Sequence, residues 1–412
     1  MPVFKASGFF VPMRTTHIPV SPDWYTVILQ TYANREHGEV TKRSMTMGAI
    51  ARRITRVITA VVCVAVSVGV SVATLHVPTR EGGGERFNPA RYRSDVIADT
   101  VINHTTGVDK TQGTGTAGSP YDNKGYFPEA GYTPSDFHAP CSIWTYRDAE
   151  SVWNCQVSGL QDLDTSSPHV RDVLSDYFVK LLDYGVAGFR VDAVKHMPPE
   201  DVLAIKKLVA KKSGRSMNDI WWTQEVIGDN AEAAEIQPRN YLKTGQVNEF
   251  QYAYRLKSLF SNSLAGGSLS IKDIPQNITD SGKASVFVTN WDTERNNMTL
   301  TYKDGDAYRL ANAFMLAYPY GAPNVFSGYE FHDTDSGASG ATATSVPDID
   351  CSKDSGWSCT ERWPDVHGMV GWHNVAGDAP LSDWQDDGDN MIAFGRGDVP
   401  SSPSTIPCAH VL

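Results

Sequence analysis

The sequence is poor in basic residues and in long apolar runs, and it contains no internal repeat. Its 412 residues include 36 Lys and Arg against 47 Asp and Glu, a formal net charge of −11. The deficit of basic side chains lies in residues 92–412, the body of the chain. Residues 1–91 hold 11 basic and 5 acidic side chains, whereas residues 92–412 hold 25 and 42, a formal charge of −17. An acidic body repels phosphate backbones, which argues against a nucleic-acid partner and favours a neutral substrate and a bound cation.

Only one apolar run is long, and it covers residues 58–75. Three arginines at positions 52–56 precede it, and Ser-Val-Ala at 71–73 offers a small-x-small cleavage site. We therefore predict a signal peptide at residues 45–76. The alternative is a retained membrane anchor, because the run is nearly long enough to span a bilayer. With a cleaved leader, the protein would be secreted and extracellular, and residues 1–44 would be an upstream extension.

Cysteine is scarce, and four of the six cysteines form two pairs that are close in sequence. Cys141 and Cys155 flank one polar loop, and Cys351 and Cys359 flank another. If the chain is exported, each pair is a candidate disulfide, because disulfides persist in oxidising compartments. Free thiols in a cytosolic protein are the alternative, and the spacing alone does not exclude them.

From residue 96 onward, short apolar runs alternate with amphipathic stretches, which is the pattern of β/α units. The predicted strands are 96–102, 186–191, 220–226, 247–252, 284–288 and 324–327. The predicted helices are 170–184, 199–212, 252–260 and 307–318. Six strands with intervening helices predict an α/β fold with a parallel sheet or barrel. The insertion at 103–165 is long enough to be a functional subdomain.

Four of the predicted strands end in carboxylate or other polar side chains. The active site of a β/α barrel lies at this face, so polar residues there are typical of catalysis. The segments are Asp99-Thr-Val-Ile-Asn103-His104, Gly188-Phe-Arg190-Val-Asp192-Ala-Val-Lys195-His196, Trp222-Thr-Gln-Glu225-Val-Ile and Phe287-Val-Thr-Asn290-Trp291-Asp292-Thr-Glu-Arg295. A single carboxylate at a strand end is often a helix N-cap. Four such segments in one chain indicate a shared site.

Two of these carboxylates, Asp192 and Glu225, lie on neighbouring strands and could form the pair that glycoside hydrolysis requires. One carboxylate attacks or stabilises the anomeric carbon, and the other protonates the leaving oxygen. Crowding of carboxylates at one barrel mouth raises the pKa of the acid by like-charge repulsion. Arg190 points to the same side of its strand as Asp192, so we expect it to keep Asp192 ionised.

In this order, the four segments resemble the signature regions of glycoside hydrolase family 13, in particular its actinobacterial and animal-type alpha-amylases. The resemblance runs from about residue 95 to residue 398. It implies a TIM (β/α)8-type barrel and a monomeric, retaining endo-hydrolase of alpha-1,4-glucosidic bonds in starch and glycogen. Asp192 matches the nucleophile, Glu225 the general acid/base and Asp292 the transition-state-stabilising aspartate. Substrate-contacting or supporting positions are matched by Asp99, His104, Arg190, Lys195 and His196.

The same resemblance implies a structural calcium. The insertion at 103–165 matches the family's domain B, which holds this ion together with the barrel. The matched ligands are the side chains of Asn103 and Asp162 and the carbonyl oxygens of Trp153 and His196. Oxygen ligands from Asn, Asp and the backbone are what calcium prefers. Both cysteine pairs also fall where the family has disulfides, which supports export.

The sequence departs from the family at two places near the site. Where the fourth region usually has His before its last Asp, this chain has Trp291. We expect Trp291 to replace a hydrogen bond to the substrate by stacking on a sugar face. Animal-type members bind chloride through two arginines and an asparagine; Arg190 and Asn290 match two of these, and Glu330 occupies the place of the second arginine. Because a carboxylate repels chloride, we expect no chloride activation.

The family's first two strands have no counterpart before residue 96, because the segment 77–95 is rich in Gly, Arg and Pro. We therefore predict an incomplete barrel with two unpaired edges. A segment such as 24–30 could close it by other means.

The remaining divisions follow from the resemblance. Residues 88–102 and 166–390 are assigned to the barrel, and 391–412 to a remnant of the C-terminal β domain and a tail.

Three other functions stay open. They are a transglycosylating or maltooligosaccharide-forming enzyme of the same superfamily, an inactive glucan-binding remnant and a membrane-anchored binding module.

Overall fold

A computed structural model describes residues 96–397, together with two strand segments near the chain ends. Its gaps are 109–111, 116–117, 262–269, 339, 343–344, 346, 353–354 and 388–390. The predicted leader, Cys63 and Cys408 lie outside the described residues. Within the described part of the chain, no helix has both the length and the apolar character needed to cross a membrane.

Strands and helices alternate along most of the chain. In chain order, the strands are β1 (Val27–Gln30), β2 (Ile97–Thr100), β3 (His104–Gly107), β4 (Gln112–Thr114), β5 (Pro120–Asp122), β6 (Leu160–Asp162), β7 (Gly188–Val191), β8 (Trp221–Gln224), β9 (Gln246–Asn248), β10 (Ala284–Phe287), β11 (Ala322–Asn324), β12 (Leu381–Asp386), β13 (Met391–Arg396) and β14 (His410–Val411). The α-helices are α1 (Ala149–Asn154), α2 (Pro168–Asp183), α3 (Pro199–Ser213), α4 (Phe250–Phe260), α5 (Asp306–Ala317) and α6 (Pro364–Ala376).

The main sheet is parallel and has the order β2-β7-β8-β9-β10-β11. It curls as a barrel sheet does, but among the described residues β2 and β11 each pair on one side only. The predicted incomplete barrel is therefore confirmed for the part of the chain that the structure describes. Strand β1 pairs with β13 in a separate four-stranded sheet, so it does not close the barrel.

All six predicted strands and all four predicted helices form close to their predicted places. The prediction of a strand at 247–252 is wrong in its second half, where α4 begins at Phe250. The reason is local: the Glu249 side chain accepts a hydrogen bond from the Gln251 N–H and so caps the helix. The last strand lies earlier than predicted, because its pairing with β10 ends where Asn324 faces Phe287.

Apolar faces of the helices cover the outer side of the sheet. Helix α2 begins at Pro168, and the Ser167 side chain accepts a hydrogen bond from a first-turn N–H. Its Phe178 is fully buried and packs on Phe189 of β7 and Trp222 of β8, with ring centroids 4.6 Å and 4.9 Å away. Burying one such side chain contributes about 1.5–3 kcal/mol. This packing fixes the two strands that carry the central carboxylates.

Two disulfides join the predicted cysteine partners, Cys141 with Cys155 and Cys351 with Cys359. The first lies in the insertion at 103–165, which also holds the β3–β6 pair, the β4–β5 hairpin and α1. The second closes a loop that precedes α6.

Candidate active site

An arginine lies at the centre of the predicted catalytic residues. Arg190 of β7 is 1% exposed. Its Nη1 donates to Asp99 Oδ1 at 2.9 Å and to Asp192 Oδ1 at 2.7 Å, while Nη2 lies 3.1 Å from Glu225 Oε2. These carboxylates come from the ends of three adjacent strands, β2, β7 and β8. Burial alone would lower the pKa of Arg190, but the three negative charges outweigh burial and raise that pKa, so the side chain stays a cation.

The Glu225 carboxyl is 12% exposed and faces the same cluster. Burial raises its pKa, and the negative charges of Asp192 and Asp292 act in the same direction. Arg190 and a hydrogen bond from the Ala193 N–H oppose the rise without cancelling it. A carboxyl with a raised pKa holds its proton to higher pH than an exposed glutamate does, and this is the property that a general acid needs.

The turn after β7 brings a backbone donor into the site. Ala193 has φ 51° and ψ 31°, a left-handed conformation that is uncommon for a residue with a side chain. In this conformation its N–H donates to Glu225 Oε2 at 2.8 Å. Backbone strain of this kind is typical of functional sites, where the surrounding structure holds it in place.

A short loop after β10 supplies Asp292 and Trp291. The Asn290 side-chain oxygen accepts hydrogen bonds from the N–H groups of Asp292, at 3.1 Å, and Thr293, at 2.8 Å, and so fixes the loop. The Trp291 ring lies over the Arg190 guanidinium, 4.7 Å from ring centroid to Cζ. The ring expected to stack on a sugar thus faces a charged group of the protein itself.

The 3-10 turn Val194–His196 carries two of the predicted substrate-binding residues. Lys195 is 5% exposed, forms an ion pair with Glu232 and lies over the Tyr146 ring at 5.1 Å. His196 meets the same Tyr146 ring edge to face. Burial lowers the pKa of His196 to about 4, so its imidazole is neutral near pH 7. His104, the first residue of β3, reaches the cluster with Nε2 at 3.9 Å from Asp192 Oδ2.

Three of the four predicted calcium ligands meet in the structure. Asn103 Nδ2 donates to Asp162 Oδ1 at 3.0 Å and to the His196 carbonyl oxygen at 3.1 Å. Turning the Asn103 amide by 180° would exchange its nitrogen and its oxygen, and would bring the oxygen beside Asp162 Oδ1 and the His196 carbonyl oxygen. The fourth predicted ligand, Trp153, lies in α1, which packs against the Val194–His196 turn.

Asp162 is 1% exposed, and burial raises the pKa of its carboxyl to about 6. Its side-chain partners among the described residues are the Asn103 amide and His138, whose Nδ1 lies 2.6 Å from Asp162 Oδ2. A buried carboxylate beside a carbonyl and an amide is the donor set of a calcium site. The residues present therefore fit the ion.

Another group with metal-binding atom types does not fit a metal. Cys351, Cys359 and Glu361 come close together on the described surface. Because the two sulfurs are bonded to each other, they offer no thiolate ligand. Glu330, the residue compared with a chloride-binding arginine, lines a cavity of about 410 Å³ together with this disulfide.

Sequence reasoning missed three residues that contact the site. They are Glu232 and Tyr146, which hold Lys195, and His138, which holds Asp162. Glu232 follows Glu225 on the same connection and could have been found as an acid near a predicted strand end. Nothing in the pattern of the insertion distinguishes Tyr146 or His138 from its other polar and aromatic residues.

Comparison with known proteins adds independent evidence. The family model described as the alpha amylase catalytic domain matches residues 93–376. An alpha-amylase of Streptomyces violaceus is 40% identical over 305 residues, which are 73% of this chain and 50% of that protein. An alpha-amylase of Aeromonas hydrophila is 40% identical over 326 residues, 76% of this chain and 68% of that protein.

A solved structure is also similar. It shows a mutant of alpha-amylase I from Eisenia fetida in complex with maltohexaose, with a TM-score of 0.67 and 31% identity. The match covers 73% of this chain and 65% of that one. The chain therefore spans between half and about two thirds of the length of these relatives.

Proposed function

The chain belongs to the alpha-amylase catalytic-domain family, and on this premise we propose that it is an alpha-amylase, a retaining hydrolase of alpha-1,4-glucosidic bonds in starch, glycogen and related glucans. The observation that carries the proposal is the Arg190 guanidinium that bridges Asp192 and Glu225. Two carboxyls bridged in this way are compatible with the short separation, about 5–5.5 Å, of retaining glycosidases. The maltohexaose bound by the Eisenia fetida relative supports the substrate class.

In the proposed mechanism, Glu225 donates a proton to the glycosidic oxygen while Asp192 attacks the anomeric carbon. The bond from that carbon to the leaving oxygen breaks, and the Asp192 oxygen forms a covalent glucosyl ester. Glu225, now ionised, takes a proton from water, which displaces Asp192 and releases a product with the alpha configuration. The raised pKa of Glu225 supports the first of these steps.

The other residues of the cluster act by electrostatics and binding. Arg190 keeps Asp192 ionised through their 2.7 Å hydrogen bond. Asp292 binds sugar hydroxyls as positive charge develops at the anomeric carbon. Asp99 supports Arg190. Substrate contacts are assigned to His104, Lys195 and His196, which line the same end of the sheet.

The stereochemistry gives a direct test. We expect the first product released from maltohexaose to be the alpha anomer, because two displacements at one carbon restore its configuration. Proton NMR of the anomeric region, recorded before mutarotation, measures it. Release of the beta anomer would rule out Asp192 as the nucleophile. Products longer than the starting sugar would identify a transglycosylase instead.

We also propose that the chain holds a structural calcium through the side chains of Asn103 and Asp162 and the carbonyl oxygens of Trp153 and His196. The convergence of Asn103, Asp162 and the His196 carbonyl supports this ligand set. When bound, the ion supplies a fixed positive charge that neutralises Asp162 and ties the insertion to the Val194–His196 turn. The carboxylates carry out the chemistry of glycosidic cleavage.

The expected lack of chloride activation stays a prediction.

Removing one ligand carboxylate tests the calcium proposal. In Asp162→Asn we expect calcium affinity to fall at least 10-fold, since a ligand charge is lost, and the rise in Tm on adding calcium to disappear. Isothermal titration and thermal unfolding, each with and without chelator, measure both. Asp176→Asn, an exposed acid with a 66% exposed side chain, is the matched control. Equal calcium binding by the two variants would refute the ligand assignment.

Finally, we propose that the protein is secreted. The two disulfides support an oxidising compartment, since such bonds are rare in the cytosol.

A further inference from the structure

Trp291, the residue before Asp292, contacts Arg190 in a way that the proposed mechanism does not use. The Trp291 indole lies over one face of the Arg190 guanidinium, at 4.7 Å, while the edges of the guanidinium are bound to Asp99, Asp192 and Glu225. Carboxylates and ring thus enclose a cation that is 1% exposed. An aromatic face attracts a guanidinium, and the attraction is stronger where water is excluded.

The loop that carries this ring is itself fixed. The Asn290 side-chain oxygen accepts hydrogen bonds from the N–H groups of the two residues that follow Trp291. The centroids of the Phe326 and Trp291 rings are 6.4 Å apart. The position of the ring is therefore set by the β10–α5 connection, whereas Arg190 belongs to β7. A contact between these elements couples the orientation of the guanidinium to the loop that supplies Asp292.

We propose that Trp291 is a positioning residue that holds the Arg190 guanidinium against Asp192 and Glu225, and that it is not a platform for a sugar ring. The inference rests on the proposed function for its role in catalysis, but the contact itself is independent of the substrate. Without the ring, Arg190 is open on one face to water and to other rotamers. Both carboxylates then lose part of the stabilisation that their ionised forms receive from the cation.

The pH dependence follows from the groups that face the pair. Glu225 faces Arg190, Asp192 and Asp292, with Tyr254 near enough to feel its charge, and His104 lies beside Asp192. A weaker hold on Arg190 raises the pKa values of Asp192 and Glu225 together. Activity needs Asp192 ionised and Glu225 protonated, so both limbs of the profile of kcat/KM against pH move to higher pH.

The test compares Trp291→Leu with Trp291→Phe. In Trp291→Leu we expect both limbs of the profile of kcat/KM against pH to move up by about 0.5–1 pH unit. This is a fraction of the 1–3 units by which a neighbouring cation lowers the pKa of a carboxyl. The KM for maltohexaose should change less than about 3-fold. Trp291→Phe keeps an aromatic face and should restore the limbs of the parent profile. Trp144→Leu, at a 74% exposed tryptophan, is the control for the substitution itself.

Two outcomes would overturn the inference. One is an unmoved pH profile with a KM raised 10-fold or more, which would make Trp291 a sugar-binding platform. The other is a Glu225 pKa that stays at its parent value in Trp291→Leu, measured by carbon-13 NMR of labelled glutamate carboxyls with Glu225→Gln to assign the signal. The NMR titration needs no turnover. A shifted Glu225 in a protein that does not hydrolyse starch would therefore refute the proposed function and leave the positioning role standing.

Discussion

Glu225→Gln is expected to lower kcat/KM on starch by roughly 10²–10⁴-fold, the contribution of a positioned general acid. Glutamine is close in size to glutamate and can still accept the Ala193 N–H, so the fold should be retained. It cannot donate a proton to the leaving oxygen, and it cannot deprotonate water. Reducing-sugar release from starch measures the loss. Glu235→Gln, an exposed acid on the same connection, is the matched control and should keep full activity.

A substrate with a good leaving group separates the two carboxylate roles. Maltosyl fluoride needs little protonation of its leaving group, so Glu225→Gln should still form the glycosyl ester from it, and added azide should speed the release. Asp192→Asn lacks the attacking carboxylate and should be inactive with either substrate. If azide instead rescues Asp192→Asn and not Glu225→Gln, the roles are exchanged. If neither variant differs from Glu235→Gln, the site lies elsewhere.

Arg190→Met is expected to destabilise the protein by about 3–5 kcal/mol at pH 7, the usual cost of removing one partner from a buried ion pair. Three carboxylates lose a cation that is 1% exposed, and the nonpolar side chain offers no hydrogen bond. Urea unfolding followed by circular dichroism measures the change. Arg309→Met, which breaks the partly exposed pair with Asp365, is the control and should cost no more than about 1 kcal/mol.

The loss in Arg190→Met should depend on pH in one direction. Without the cation, the folded-state pKa of Glu225, which burial already raises, rises further above its value in the unfolded chain, and Asp99 and Asp192 lose the same stabilisation of their ionised forms. The penalty begins as pH rises past the pKa values of the unfolded carboxyls, and it is complete once the pH exceeds the raised folded-state values. Below about pH 4, where free carboxyls are largely protonated, the difference from the parent protein should shrink. A loss that is equal at pH 4 and pH 7 would show that the guanidinium acts by packing alone.

The site could be predicted from sequence to the extent that its residues follow strands. Asp192 and Glu225 come at or just beyond the end of a predicted strand, and Asp99 lies within the predicted strand 96–102, which ends at Thr100 in the structure. The carboxyl ends of parallel strands meet at one edge of the sheet. Arg190 could be placed because alternate residues of a strand share a side. The same reasoning fails for loops, whose path no short repeat describes. For that reason neither Tyr146 nor Glu232 was expected beside Lys195.

The conformation at Ala193 shows the same limit in the backbone. Its left-handed φ is disfavoured for alanine, and local sequence preference would not predict it. The packed site stabilises this conformation, because in it the Ala193 N–H donates a hydrogen bond to Glu225. The partner of Trp291 is likewise a tertiary fact, since the ring and Arg190 are about a hundred residues apart in sequence.

The sequence by itself determined the class of fold, the order of the strands along the chain and which carboxylates meet, because apolar periodicity and strand alternation are local properties. It also indicated Cys141–Cys155 and Cys351–Cys359 as candidate disulfides, and both form in the structure. Only the tertiary structure decided what each charge touches. Arg190 bridges Asp192 and Glu225, Trp291 covers that arginine, and Asn103 joins Asp162 to the His196 carbonyl. Contacts between distant segments depend on how sheet, helices and loops pack together, and no local pattern in the chain encodes that arrangement.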